Sequence, residues 1–123
     1  MKPSVVDALC RMPLAFKDAG DTTMVALLKV SQYHRESLIS EADIETHLRA
    51  HPALVDAWVA YSEDQRSLPA WYLMRPDARN TAEWRVGYLS KREPPREQAF
   101  ANEFAACAFF IMRKVEDLSR LAG

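Results

Sequence analysis

Three glycines in 123 residues leave this chain almost without the residue that supplies flexible joints, positive-φ turns and phosphate cradles. Glycine-rich linkers are excluded. No G-x-x-x-x-G-K, G-x-G-x-x-G or G-x-S-x-G run occurs, so the phosphate loop, the dinucleotide fingerprint and the nucleophile elbow are all missing. Cysteine is equally sparse. Cys10 and Cys107 stand alone, beside Leu9 and Met12 in one case and Ala106, Ala108 and Phe109 in the other. Such apolar neighbours predict buried, reduced thiols rather than a disulfide.

Long apolar runs are also lacking. The longest, Phe104 to Met112, has nine residues, whereas a membrane-spanning helix needs about 20. Between Met1 and Met12 the residues Pro3, Asp7 and Arg11 interrupt any signal-peptide core, so a cytoplasmic protein is expected. Nor is there a surplus of charge: 16 bases oppose 17 acids for a net charge of −1. Residues 1 to 65 hold ten acids and six bases, and residues 66 to 123 hold seven acids and ten bases. With a pI near 6.3 no concentrated basic face exists, which argues against nucleic acid as a partner.

What is present is an ordinary globular balance, 49% apolar and 27% charged, at a length that suits one domain over residues 1–123. Its pattern predicts an α+β fold: N-terminal helices, a β-hairpin, and a long C-terminal helix packed on the small antiparallel sheet. Ser4 to Met12 reads as a short helix stopped by Pro13. Asp21 or Thr22 is a credible N-cap for a helix reaching about Tyr33, with Met24, Leu27 and Leu28 among its apolar positions. Ser40 and Asp43 form a capping box for a helix from Glu41 to Ala50, with Asp in place of the usual Glu or Gln. Pro52 suits the first turn of another helix, whose apolar face is Leu54, Val55, Trp58, Val59 and Tyr61.

Ala70 to Met74, bounded by Pro69 and Pro76, reads as a strand, and Glu83 to Ser90 alternates with Trp84, Val86 and Tyr88 on one face. The two are expected to pair through an Asp77–Thr81 turn. From Arg96 to Leu121 the residues Phe100, Phe104, Cys107, Ile111, Val115 and Leu118 recur every three or four positions, predicting a helix of roughly 39 Å. Its apolar face is the natural cover for the hairpin.

Few residues invite a chemical role. His47 and His51 stand four apart, a spacing that can place two imidazoles on one metal, but Pro52 puts His51 at a helix end and no third ligand follows at a matching interval. No metal or other cofactor is expected. His34, Glu36 and Arg66 are the most imaginable acid–base set, yet their spacing forms no known motif, so the chain reads as a binding protein rather than an enzyme. Glu36, Glu41, Asp43 and Glu45 lie within ten residues without an intervening Lys or Arg. They suit either a solvated, dipole-stabilised helix start or an acidic surface that steers a basic partner. The polar turn Ser62–Ser67, including Asp64 and Arg66, runs through Pro69 into Trp71 and Tyr72. It reads either as a self-satisfied junction or as part of an interface rich in Arg, Trp and Tyr.

The runs His51-Pro52-Ala53-Leu54-Val55-Asp56-Ala57-Trp58, Tyr61-Ser62-Glu63-Asp64-Gln65-Arg66 and Pro69-Ala70-Trp71-Tyr72-Leu73, with the later Ala105-Ala106-Cys107-Ala108-Phe109-Phe110-Ile111, resemble small bacterial immunity proteins encoded beside polymorphic toxins. That resemblance implies a cytoplasmic protein that binds one cognate toxin, delivered by a type VI or contact-dependent system, and occludes its active site. No catalytic residue carries over. Many immunity proteins are strongly acidic, whereas this chain is nearly neutral. On this reading the partner-binding candidates are Glu36, Glu41, Asp43, Glu45, Asp64 and Arg66. A secretion chaperone or adaptor for an effector protein is the alternative, and either a monomer or a homodimer fits.

Overall fold

A computed structural model describes residues 2–19, 23–30, 39–63, 70–76, 83–90 and 96–122. Among these residues, six helices and three strands follow in the order α1 (Lys2–Cys10), α2 (Met12–Ala19), α3 (Met24–Val30), α4 (Glu41–Ala50), α5 (Ala53–Glu63), β1 (Ala70–Met74), β2 (Trp84–Leu89), β3 (Arg96–Phe100) and α6 (Glu103–Ala122). The fold is α+β, as the pattern predicts.

At the N-terminus, Pro13 does not end the helical segment. A turn at Arg11 separates α1 from α2, and Pro13 falls at the second residue of α2. There its missing N–H is one of the donors left unbonded in any first turn. Asp21 and Thr22 lie outside the described residues, as does Tyr33. The side chain that caps α3 is Thr23, whose Oγ1 accepts the Ala26 N–H at 3.1 Å. The capping box of α4 is present in full: Ser40 Oγ accepts from the Asp43 N–H at 3.2 Å, and Asp43 Oδ2 accepts from the Ser40 N–H at 2.9 Å. His51 closes that helix, its N–H reaching the carbonyls of His47 and Leu48. The next helix begins within a residue of Pro52.

The expected hairpin is one half of a three-stranded antiparallel sheet of order β1-β2-β3. β1 and β2 pair with Leu73 opposite Val86, and β2 and β3 with Gly87 opposite Glu97. The Asp77–Thr81 turn lies outside the described residues. Arg96–Phe100 is therefore strand, not the start of the C-terminal helix, and the predicted 26-residue helix is shortened to 20 residues. Asn102 makes the break, its Oδ1 accepting the N–H groups of Phe104 at 2.7 Å and Ala105 at 3.2 Å. Phe100 matched the helical spacing only because a side chain on the inner face of β3 leads directly into that face of α6.

The sheet's inner face packs on α6, which contacts all three strands. Trp71 meets Phe109 edge-on at 6.1 Å, and Phe100 meets Phe109 at 5.4 Å. On its other side α6 carries α3 and α4, with α1 behind α4. Trp58 is the keystone of this layer. Wholly buried, it contacts the edges of Phe110 and Tyr61, and its Nε1–H donates to the Cys10 carbonyl at 2.8 Å. α1, α5 and α6 are thereby tied into one apolar cluster that also takes in Leu73, Trp84 and Val86 of the sheet.

Candidate functional site

Two sides of the molecule carry ionisable residues close together, and a third carries exposed apolar ones. On the α1–α4 side, Asp7 Oδ1 accepts from Arg11 Nε at 2.7 Å and contacts His47 Nε2 at 2.8 Å. The Arg11 hydrogen bond, aided by His47, holds the Asp7 carboxyl below its usual range despite partial burial. The His47 and His51 rings lie 4.6 Å apart, but Nε2 of His47 is already taken by Asp7. Among the described residues no three His, Cys, Asp or Glu side chains converge as metal ligands. The thiols are equally inert in character. Burial pushes Cys10 up to about 12 and raises Cys107 well above the ordinary thiol range, so neither is a ready nucleophile.

The acidic residues around α4 are spent on the fold. Asp43 is in the capping box. Glu45 pairs with Arg49 at 2.8 Å, and Glu41 with Arg113 at 3.4 Å. Each guanidinium also covers a ring of α6: Arg49 lies 5.0 Å from Phe104, and Arg113 lies 4.8 Å from Phe109. Acids and arginines together form a reciprocal clamp between α4 and α6. Glu36 lies outside the described residues, as do His34, Asp64 and Arg66.

The sheet's outer face differs in kind. Residues alternate across a strand, so Tyr72 and Met74 on β1, Arg85, Gly87 and Leu89 on β2, and Glu97 on β3 project away from α6. Tyr72, Gly87 and Glu97 form one row across the three strands. The hydroxyl end of the Tyr72 ring lies over Gly87, and that hydroxyl donates to Glu97 Oε2, bridging from the first strand to the third. Arg85 Nη1 contacts the other oxygen of Glu97 at 3.3 Å. Burial, then the Glu97 hydrogen bond, raises the Tyr72 hydroxyl far above its usual range, so the phenol stays protonated.

Beside this row runs an open groove of about 420 Å³, floored by Tyr72 and Leu73 and rimmed by Ser62, Glu63, Met74, Arg75, Leu89 and Glu97. Ser62 fixes the groove's position: its buried Oγ accepts the Leu73 N–H at 2.8 Å, stitching the end of α5 to the free edge of β1. Arg75 is held by Asp56 at 2.6 Å. Met74 and Leu89 remain 40% and 37% exposed, although each is large enough to belong in a core.

Sequence reasoning reached the rim of this surface but not its centre. Tyr72 was reached only as the end of the segment that starts at Ser62, and Met74, Leu89 and Glu97 escaped notice because strand alternation says which residues share a face, not which face lacks a cover. The available signal was the apolar residue at each out-facing strand end, where a polar one is the norm. Comparison with family models, with curated proteins and with solved structures finds no match. Among the described residues no helix is long and apolar enough to cross a membrane.

Proposed function

We propose that this chain is a cytoplasmic immunity protein that binds a cognate secreted bacterial toxin and occludes its active site, and that the outer face of the sheet is the surface that docks. The observation that carries this reading is the bare outer face itself. Two large apolar side chains, Met74 and Leu89, flank a hydrogen-bonded Tyr72–Glu97–Arg85 row. Tyr and Arg anchors with adjacent apolar area are the residue types that dominate binding at protein interfaces. The row is rigid before any partner arrives, which lowers the ordering cost of association. The resemblance of the 51–73 region to immunity proteins supports the same reading, since those residues run along α5 into β1 and thus to this groove.

Chemistry at this face is confined to recognition. A phenol held protonated and a carboxylate already bonded to it serve to orient one another. The acidic set on α4 is proposed only as a source of long-range attraction for a basic toxin, because Glu41 and Glu45 are already paired with arginines of the same chain.

Expression of the neighbouring candidate toxin gene is expected to arrest growth, and co-expression of this chain to restore it. Exchanging Met74 and Leu89 together for Glu removes about 1 kcal/mol of apolar burial apiece and sets charge against the partner's apolar area. Affinity should fall at least about tenfold while the thermal midpoint stays unchanged, because both side chains are already part-exposed. Protection by the double variant equal to that of the wild type would remove the outer face from the interface. If growth were unaffected by the neighbouring gene and loss of this chain instead lowered an effector's abundance, the adaptor reading would replace this one.

A further inference from the structure

The second apolar feature of the molecule lies on its helical side, apart from the sheet's outer face. α2 and α5 bound an open groove of about 460 Å³, with Ala57, Ala60 and Tyr61 on the α5 side and Leu14, Phe16 and Lys17 on the α2 side. Leu14 and Phe16 are 40% and 36% exposed. Phe16 leans edge-on against Tyr61 with ring centres 6.0 Å apart, and Lys114 Nζ covers the Tyr61 ring from α6 at 5.3 Å. The floor is thus rigid and aromatic, and the small side chains of Ala57 and Ala60 leave a hollow next to the projecting Leu14. Among the described residues no carboxylate lines the groove.

From this arrangement we infer that the groove is the interface of a two-fold symmetric homodimer, in which Leu14 of each copy enters the hollow over Ala57 and Ala60 of the other. An isologous interface requires one patch to hold both the projection and its receptor. This patch does so. Opposite charges stand at and beside its edge. Lys17 lines the groove, Asp18 follows it on the same exposed helix, and neither has an ion pair among the described residues. A two-fold axis beside α2 sets Lys17 of one copy against Asp18 of the other, twice. A partner with a purely acidic or purely basic surface would satisfy only one of these two charges. A second copy satisfies both, and the sheet's outer face stays free for the toxin in each copy.

Sedimentation equilibrium of the full chain tests this without any partner. Material at about 100 µM, a hundredfold above a micromolar dissociation constant, is expected to sediment at twice the 14.0 kDa chain mass. Leu14→Glu should convert it to monomer with an unchanged circular dichroism spectrum. The charges provide an independent arm at two exposed positions. Lys17→Asp places like charges together at both symmetry-related contacts and should weaken the dimer about tenfold, and Lys17→Asp with Asp18→Lys should recover most of that loss. A monomer at about 100 µM overturns the inference. So does a dimer whose dissociation constant is the same in the wild type, in L14E and in K17D, since its contact would then lie elsewhere, such as the outer edge of β3.

Discussion

Gly87 carries more of the outer face than any residue with a side chain. Adjacent strands are about 4.8 Å apart, so for Tyr72 on β1 to reach Glu97 on β3 its ring must lie flat across the strand between them. A Cβ at position 87 would sit 2.5 Å from the Tyr72 ring carbon that bears the hydroxyl and 2.7 Å from the Arg96 carbonyl. Only glycine leaves that space. Gly87→Ala is expected to destabilise the domain by about 1–3 kcal/mol, the usual cost of overpacking, as read by urea denaturation. Combining it with Tyr72→Ala should recover only part of the loss, because the Arg96 carbonyl is backbone and moves only if the β2–β3 pairing shifts. Full recovery would show that the carbonyl contact is relaxed at no cost.

At the scale of elements, the junction between β3 and α6 is where a periodic pattern misled. Helical spacing carried on backwards from Phe104 to Phe100, yet the chain changes from strand to helix between them, and Asn102 supplies the chemistry of the change. Its side-chain oxygen satisfies two N–H groups that the first turn leaves unbonded. Asn102→Ala is expected to cost about 0.5–2 kcal/mol in a denaturant titration, with amide exchange accelerated in the first turn of α6 and unaltered at Ile111. Equal acceleration at both places would mean that the helix opens as one unit. The capping box at Ser40 and Asp43 obeys the same physics. It was legible in advance because Ser40 lies directly before an amphipathic run, whereas Asn102 lies inside an apolar period.

Across the whole molecule, stability resides in the layer around Trp58, Phe110 and Ile111 rather than in ion pairs. The Glu45–Arg49 pair within α4 and the Glu41–Arg113 pair from α4 to α6 are between one quarter and one half exposed, and pairs of that kind contribute about 0–1 kcal/mol each. Ile111 is fully buried on the face of α6 that looks into the core. Ile111→Asp is expected to remove about 3–5 kcal/mol or more, a large part of the 5–15 kcal/mol that domains of this size possess. Loss of the cooperative thermal transition would be the readout, and a normal melting temperature would show that α6 is not seated as described. Of the candidate recognition residues, Glu41, Asp43 and Glu45 were visible as an acidic cluster in the sequence. Arg49, four positions after Glu45 on the same helix, is within reach of a local reading, whereas Arg113, which answers Glu41, lies some seventy positions away.

Local chemistry was sufficient to determine α4, α5, β1, β2, the apolar face of α6 and the burial of both cysteines, because caps, prolines and periodicity act over a few residues. Only the tertiary structure decided that β3 completes the sheet, that Glu41 of α4 is paired across to Arg113 of α6, and that Met74, Leu89, Leu14 and Phe16 stay uncovered. Each of those depends on which surfaces meet, and a surface is left bare by the absence of a neighbour. An apolar residue at an out-facing strand end hints at such a surface, but only the placement of every other element shows that nothing covers it.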